Sequence, residues 1–465
     1  MKQTAVPLIL LAAICLFAAF APVAGPSENG GPINPGDVAW MLCATGLVLL
    51  MTPGLSFFYG GMVRPKNVIS TMMQSIITMA VISILWIVVG FSLAFGDSVH
   101  GLIGNPLTYF MFRHVGTATH PALSPTIPLV LFAFFQLKFA IITPALITGS
   151  FAERVRFTSY MLYICLFTLL IYSPLAHWTW HPDGFLHKMG VLDFAGGTVV
   201  HMSAGLAALA GALMLGRRNG YKAHEPHAPA NIPFVILGTG MLWFGWFGFN
   251  AGSALGANAQ AAMAFATTNT ASAAAALAWV FYDLARGRRP SAIGACVGAV
   301  VGLVAITPAA GFVTIGDSIL IGATAAMVSN LVVSLMSKAA LDDTLDVFPC
   351  HGVGGMVGML MTAFFAKDVG LVYGSYATLL AHLKALLIVS GFSFGGSYVL
   401  YKITDLIIPL RVTADQEELG LDVSQHGESL IEYNTEHRTE PDAAEPSPAI
   451  NCFVEESGTL AYSAD

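Results

Sequence analysis

Two short stretches place ionisable side chains inside long apolar runs: DFAGGTVVHM, residues 193–202, and DVFPCHGVGG, residues 346–355. Each opens on an aspartate and carries a histidine further in, Asp193 with His201 and Asp346 with His351. An imidazole accepts, donates or relays a proton near neutral pH. A carboxylate at such a position either meets a cation or caps helix amides. Metal or haem chemistry would need more ligands. The six cysteines (Cys15, Cys43, Cys165, Cys296, Cys350, Cys452) stand singly, and neither a CxxCH nor paired cysteines occur. The chemistry on offer is hydrogen bonding and proton transfer by two histidines, with no metal or other cofactor.

The elements that carry these residues are set by composition. The chain has 465 residues, 55% hydrophobic and only 10% charged, with mean hydropathy +0.71, whereas soluble domains are charged at about a quarter of positions. Apolar runs of about 20 residues, enough to cross a bilayer, recur from Val38 to Ile408. This is a polytopic, all-α membrane protein. The net charge of −7 divides unevenly: from Arg411 onward 13 acidic and 2 basic residues make an acidic tail, while the first 410 residues hold 18 basic and 14 acidic ones. No basic patch with interleaved aromatics is present, which removes nucleic acid as a partner.

Residues 1–24 read as a signal peptide, with Lys2 before an apolar run from Leu8 to Phe20, although Pro22 directly after Ala21 hinders cleavage there. Eleven spans follow: Val38–Tyr59, Val68–Phe95, Ile127–Ser150, Phe157–Ala176, Phe194–Leu215, Ile232–Ala251, Ala261–Leu284, Ile293–Thr307, Ile315–Met336, Pro349–Ala366 and Leu379–Ile408. Alternate connections and the tail collect 14 basic residues, among them Arg64, Arg154, Arg218, Arg288 and Lys338; the other side has Arg113, Lys188, Lys367 and Lys384. The positive-inside rule puts the N-terminus of the first span outside and the C-terminus inside.

Eleven spans divide as five, five and one, and a five-span repeat is inverted in the membrane. AIITPALITG in the third span echoes VAITPAAGFV in the eighth, and DFAGGTVVH in the fifth echoes DVFPCHGVGG in the tenth. His201 then lies about 12 Å inside the fifth span from Asp193 at 1.5 Å per residue. With an extended Asp346–Pro349 ahead of the helix, His351 reaches in from the opposite face by about 13 Å. The two imidazoles can meet near the midplane of a core about 30 Å thick.

DFAGGTVVHMSAG, GWFGFNAGSA, FAIITPALITGSFAERVRF, DVFPCHGVGGMVG and EELGLDVSQHGE together resemble the bacterial branch of the Amt/Rh ammonium transporters, over nearly the whole chain. The resemblance implies an eleven-helix inverted-repeat membrane domain (37–408), a cytoplasmic regulatory segment (409–433), and a homotrimer in the cytoplasmic (inner) membrane. It implies ammonium uptake for nitrogen metabolism by a transporter, not an enzyme, under control of a trimeric PII-type signalling protein. Residue by residue, Trp180 after PLAHW resembles the aromatic wall of an outer ammonium site, Ser253 its hydroxyl ligand, and Asp193 the acid that orders it. Phe139 resembles an aromatic of that site and, with Phe249, one of two gate rings; Trp246 resembles an aromatic of the inner pore; His201 and His351 resemble twin pore histidines. Residues 434–465 read as a disordered acidic tail. A sensor using the same site with the tail as output is the alternative reading.

Each of these residues also has a plainer role open to it. Asp193 suits a helix N-cap at least as well as a cation site, and Asp346 has the same choice between capping its helix and holding neighbouring loops. Ser253 sits among Ala and Gly, where small residues serve close packing. Trp178 is two residues from Trp180 and is the competing assignment. Lys138, adjacent to Phe139 in the third span, would repel a cation inside a pore and is expected to face away from it.

Overall fold

A computed structural model describes residues 2–20, 30–221, 228–339 and 341–430. The acidic tail read at 434–465, and residues 21–24 of the leader, lie outside them. A helix α1 (Lys2–Phe20) precedes the body. The body then runs α2 (Pro35–Met62), α3 (Pro65–Phe95), α4 (Leu129–Phe151), α5 (Phe157–Lys188, broken after Trp180), α6 (Gly197–Leu215) and α7 (Ile232–Gly252). After it come α8 (Ala259–Ala285), α9 (Ala292–Ile306), α10 (Ile315–Met336), α11 (Phe348–Phe365) and α12 (Ala377–Ile407). Nine of these, among the described residues, have the length and hydropathy to cross a membrane; α8 is long but too rich in Ala, Thr and Asn, and α9 is short. Two small hairpins, β1 (Ser98–Val99) with β2 (Ile103–Gly104) and β3 (Thr119–His120) with β4 (Ser124–Pro128), mark one end of the bundle.

The helix starts are written in the chain. Asn34, Asn231, Asn258 and Ser291 accept first-turn amides of α2, α7, α8 and α9, and Thr314 with Asp317 forms a capping box on α10. α6 is largely buried and α11 about half so, and they begin alike: π-helical turns at Gly197–Met202 and at Phe348–Val353 carry the buried His201 and His351. The TP pairs of the echoed segments fall inside α4 (Pro144) and just after α9 (Pro308).

One expectation is corrected. The run into Pro349 is not extended: Asp346 is left-handed (φ +55°), Val347 is helical, and Cys350 N donates to Asp346 O. Asp343, not Asp346, caps this turn, its Oδ2 accepting Phe348 N at 2.7 Å. The turn itself is carried inward by the loop before it, where Thr344 N and Leu345 N donate to Ser150 O and Gly149 O of α4.

At the end opposite the hairpins an ion-pair chain ties the loops. Arg64 meets Glu153 at 2.6 Å, Arg218 meets Glu153 at 3.1 Å and Asp342 at 2.8 Å, and Arg154 donates to the Asp342 carbonyl and to Thr344. The sequence showed these arginines only as topology signals; in the fold they are nearly all bound. The following segment docks here through α13 (Ala414–Leu419). Glu417 pairs with Arg411 and accepts Asn219 N, and the Asp422 carboxylate accepts Ile69 N and Ser70 N.

The crossing of α6 with the start of α11 is the tightest point of the inverted pair. A Cβ on Gly205 would fall 2.1 Å from Gly352 N, so the crossing leaves no room for a side chain at Gly205. Gly205→Ala should therefore strain the crossing by about 1–3 kcal/mol and lower the thermal unfolding midpoint in detergent. Gly46→Ala, where nothing lies within 4 Å, should leave it unchanged; equal shifts in the two variants would remove the crossing as a constraint.

Candidate conduction pathway

Starting at the hairpin end, a depression of about 140 Å³ is lined by Phe139 and Gln136 of α4, Trp180 of α5, Ser253 after α7, and Phe132, Phe194 and Leu255. Trp180 is fixed by its indole N–H, which donates to Asp193 O at 3.1 Å, and its ring stands edge-on to Phe139 at 5.7 Å. Trp178 is elsewhere, donating to Leu102 O and packing on Phe185 and Phe392. Ser253 donates its hydroxyl proton to Phe249 O at 2.8 Å, which leaves its oxygen lone pairs for a donor in the depression. Gln136 was not singled out from the sequence. It is 8% exposed, and its Oε1 has no protein partner.

Asp193 is not among the lining residues. Its Oδ1 accepts Gly196 N and Gly197 N, and its Oδ2 accepts Thr198 N and the Thr198 hydroxyl, at 2.5–2.8 Å. The carboxylate is consumed by the first turn of α6. It holds the loop whose carbonyl orients Trp180 and starts the helix that carries His201. His382 of α12 supports the same loop, accepting Leu192 N at Nε2 while Nδ1 donates to Met359 O. As a lone histidine in a span, it offered no sequence signal.

Below the depression the way is closed by two rings. Phe139 and Phe249 lie 4.2 Å apart with planes 31° from parallel, and both are essentially fully buried. Directly beyond Phe249 stands His201, at 6.1 Å between ring centres. Its Nδ1 is 3.3 Å from Nδ1 of His351, so one ring donates and the other accepts. Trp246 stacks on His201 at 5.4 Å and 16°, held by its N–H donating to Thr307 Oγ1 at 2.9 Å. His201 Nε2 is buried with no protein partner. Thr307, next to Pro308, thus orients the tryptophan.

The path ends near a cavity of about 740 Å³ at the arginine-rich end, lined by Arg64, Arg218, Tyr221, Asp342, Asp343 and Asp346 among others. Loss of solvent, with Asp343 beside it, pushes the Asp346 carboxyl up to about 8. Asp343 is raised to about 6, again mainly by burial. Lys138 lies off the path: its Nζ sits over the Phe134 ring at 5.6 Å and it lines none of these cavities. Two facing Nδ1 atoms do not make a metal site, and among the described residues no group of three or more His, Cys, Asp or Glu could hold one.

A family model described as the Ammonium Transporter Family matches residues 39–431. The ammonium transporter of Aquifex aeolicus is 44% identical over 420 residues, covering 89% of this chain and 97% of that protein. The crystal structure of Saccharomyces cerevisiae Mep2 superposes with a TM-score of 0.79 at 35% identity, covering 89% of this chain and 95% of that one. A structure titled Sensor Amt Protein gives 0.78 at 31% identity, covering 84% and 98%. With a family match over most of its length, and relatives at this identity, the chain belongs to the ammonium transporter family.

Proposed function

We propose that the chain carries ammonium across the bacterial cytoplasmic membrane: the cation is captured at the aromatic depression, gives up a proton, and passes as ammonia between Phe139 and Phe249 and along His201 and His351, while the proton crosses by a separate route, so that net charge moves. The observation that carries this reading is the direct succession of an aromatic-lined depression, two apposed phenylalanine rings and paired imidazoles. Ammonium and potassium are close in size, and an indole face attracts either by about 0.5–2 kcal/mol. Only ammonium donates directed hydrogen bonds, to the Ser253 oxygen and the Gln136 carbonyl, and only ammonium can shed a proton and its charge. A bare potassium ion between two phenylalanines would carry its full desolvation cost.

Inside, the unpartnered His201 Nε2 gives ammonia a hydrogen-bond partner, and the Nδ1–Nδ1 bond couples the two tautomers, so a proton change at one ring is answered at the other. The hairpin end is the outer one in this proposal and the arginine-rich end the inner one, following the positive-inside rule. Methylammonium serves as an analogue of the substrate. The docked segment, within 409–433, forms the surface for a PII-type protein in a homotrimer, and residues 1–24 are a signal peptide.

A sensor reading uses the same depression, with the docked tail as output; similarity to the structure titled Sensor Amt Protein favours it. A sensor needs no passage beyond the rings, so flux separates the two.

In liposomes, ammonium should drive a current that potassium does not. His201→Ala and His351→Ala should each lose most of this current or its selectivity, and the double variant should be little worse than either, as for groups acting together. Each single change also leaves a buried imidazole partly unsatisfied, costing about 1–3 kcal/mol. Wild-type current and selectivity in either single variant, or losses that simply add, would end the paired-histidine proposal. Phe249→Ala should keep the fold and admit water beyond Phe139, seen as a proton leak without ammonium. An unchanged leak would show that the ring is packing and not a gate.

A further inference from the structure

One wall of the aromatic depression is the tip of a hairpin. Phe95, Ala122 and Leu123 line both the depression and an adjoining cavity of about 1260 Å³ at the hairpin end. Ala122 and Leu123 sit between β3 and β4, and β4 runs straight into α4, which carries Gln136 and Phe139. What fixes this tip therefore fixes part of the site.

The fixing group is an imidazole. His120 Nδ1 accepts Ala122 N at 3.2 Å and Leu123 N at 3.1 Å, while His120 N donates to Ser124 Oγ at 3.2 Å. A side chain that accepts from the amide two residues on is ordinarily Asn or Asp, and Asn105 does so for Leu107 N at 3.0 Å. A neutral imidazole can hold such a turn, but it titrates near neutral pH. An imidazolium has no lone pair at Nδ1, so charging the ring and keeping both amide bonds exclude each other.

The other titratable groups of this cavity are Asp97, His100, His114, His181, Asp183 and Lys188. Asp183 is paired with Lys188 at 2.7 Å, and Asp97 accepts the Thr108 hydroxyl at 3.0 Å. Asp97 favours a charged ring at His120; His100 and His114, when charged, oppose it. His181, directly after Trp180, closes a similar turn by accepting Asp183 N at 3.0 Å. It is 9% exposed and stacks on His177 at 4.4 Å between ring centres, and two apposed imidazoles resist charging together. His120 is only half-buried and faces the cavity, so protons from the solution at the hairpin end reach it.

We propose that His120 is a positioning residue for ammonium capture: neutral, it closes the hairpin tip against the depression, and protonated, it releases the tip and weakens capture. Two effects share this sign. Ala122 N and Leu123 N lose their acceptor, which loosens the wall beside Phe95 and Phe132. A new positive charge also stands in the cavity adjoining a cation site. Acidification through the imidazole range, about 6.5 and below, therefore opens the tip, and neutral pH keeps it closed. The inference rests on the depression being the ammonium site, and adds to it a control that the pore histidines do not supply.

Ammonium currents of the full chain in liposomes, at about pH 7.5 and about pH 5.5 on the hairpin side, test this. The wild-type KM should rise about threefold to tenfold on acidification, the scale of one or two lost hydrogen bonds. His120→Asn keeps an acceptor that does not titrate, so it should match the wild-type KM at the higher pH and lose most of the rise. His120→Ala should have a raised KM at both. A flat wild-type KM, a full rise in His120→Asn, or a wild-type KM in His120→Ala at the higher pH would each overturn the proposal. Nitrogen-15 shifts of the Ala122 and Leu123 amides read the turn without transport or variants. They should move with the His120 ring as it titrates, and amides that ignore it also overturn the proposal. A wild type whose amides follow the ring but which passes no ammonium current would fault the transport reading and not the turn.

Discussion

Two imidazoles can share a hydrogen bond in the middle of a membrane only if the backbones that carry them cross almost in contact. The Gly205–Gly352 crossing meets this condition, and much of the site follows from it. Each histidine sits in a π-helical opening turn, and each turn is held at its start by a carboxylate: Asp193 for His201, and Asp343 for His351. The inverted repeat is what lets two half-structures present matching turns to one another. Once the two Nδ1 atoms meet at 3.3 Å, Trp246 and Phe249 have a fixed imidazole surface to pack on.

The same arrangement separates two tasks that a rigid hole performs badly. In the proposed function, a cation is recognised at the depression, against Trp180 and Ser253, and passage lies behind the buried rings of Phe139 and Phe249. On the proposed reading, discrimination arises from the order of these environments: a species that cannot lose its charge finds hydrogen-bonding partners before the rings but no hydration between them. Asp193 acts through others, since its four bonds to the α6 start leave it no contact with the depression. The arginine-rich end is constrained differently. The chain Arg64–Glu153–Arg218–Asp342 is largely desolvated, and burial of such pairs rewards complete geometry more than it adds stability.

The architecture was legible because lipid imposes a simple rule, about twenty apolar residues per crossing. The spans read at Ala261–Leu284 and Ile293–Thr307 correspond to the helices α8 and α9. Motif position separated Trp180 from Trp178. What stayed hidden depends on contacts distant in sequence. His382 looks like any lone histidine, and Gln136 like any polar residue in a span. The arginines of the loops read as topology signals, although most are held in specific pairs. The extended run before Pro349 failed for a local reason: its missing N–H costs nothing in an opening turn, and Asp343 supplies the cap that the π-helical start needs.

The state of the histidine pair is the most direct test of this account. Nitrogen-15 NMR of ring-labelled histidine in bilayers, with His201→Ala and His351→Ala for assignment, reads which ring nitrogens carry protons. The account predicts opposite tautomers, one ring protonated on Nδ1 and the other on Nε2, with a coupling or exchange signature across the Nδ1–Nδ1 contact. Two Nε2-protonated rings, with no proton between the Nδ1 atoms, would contradict it.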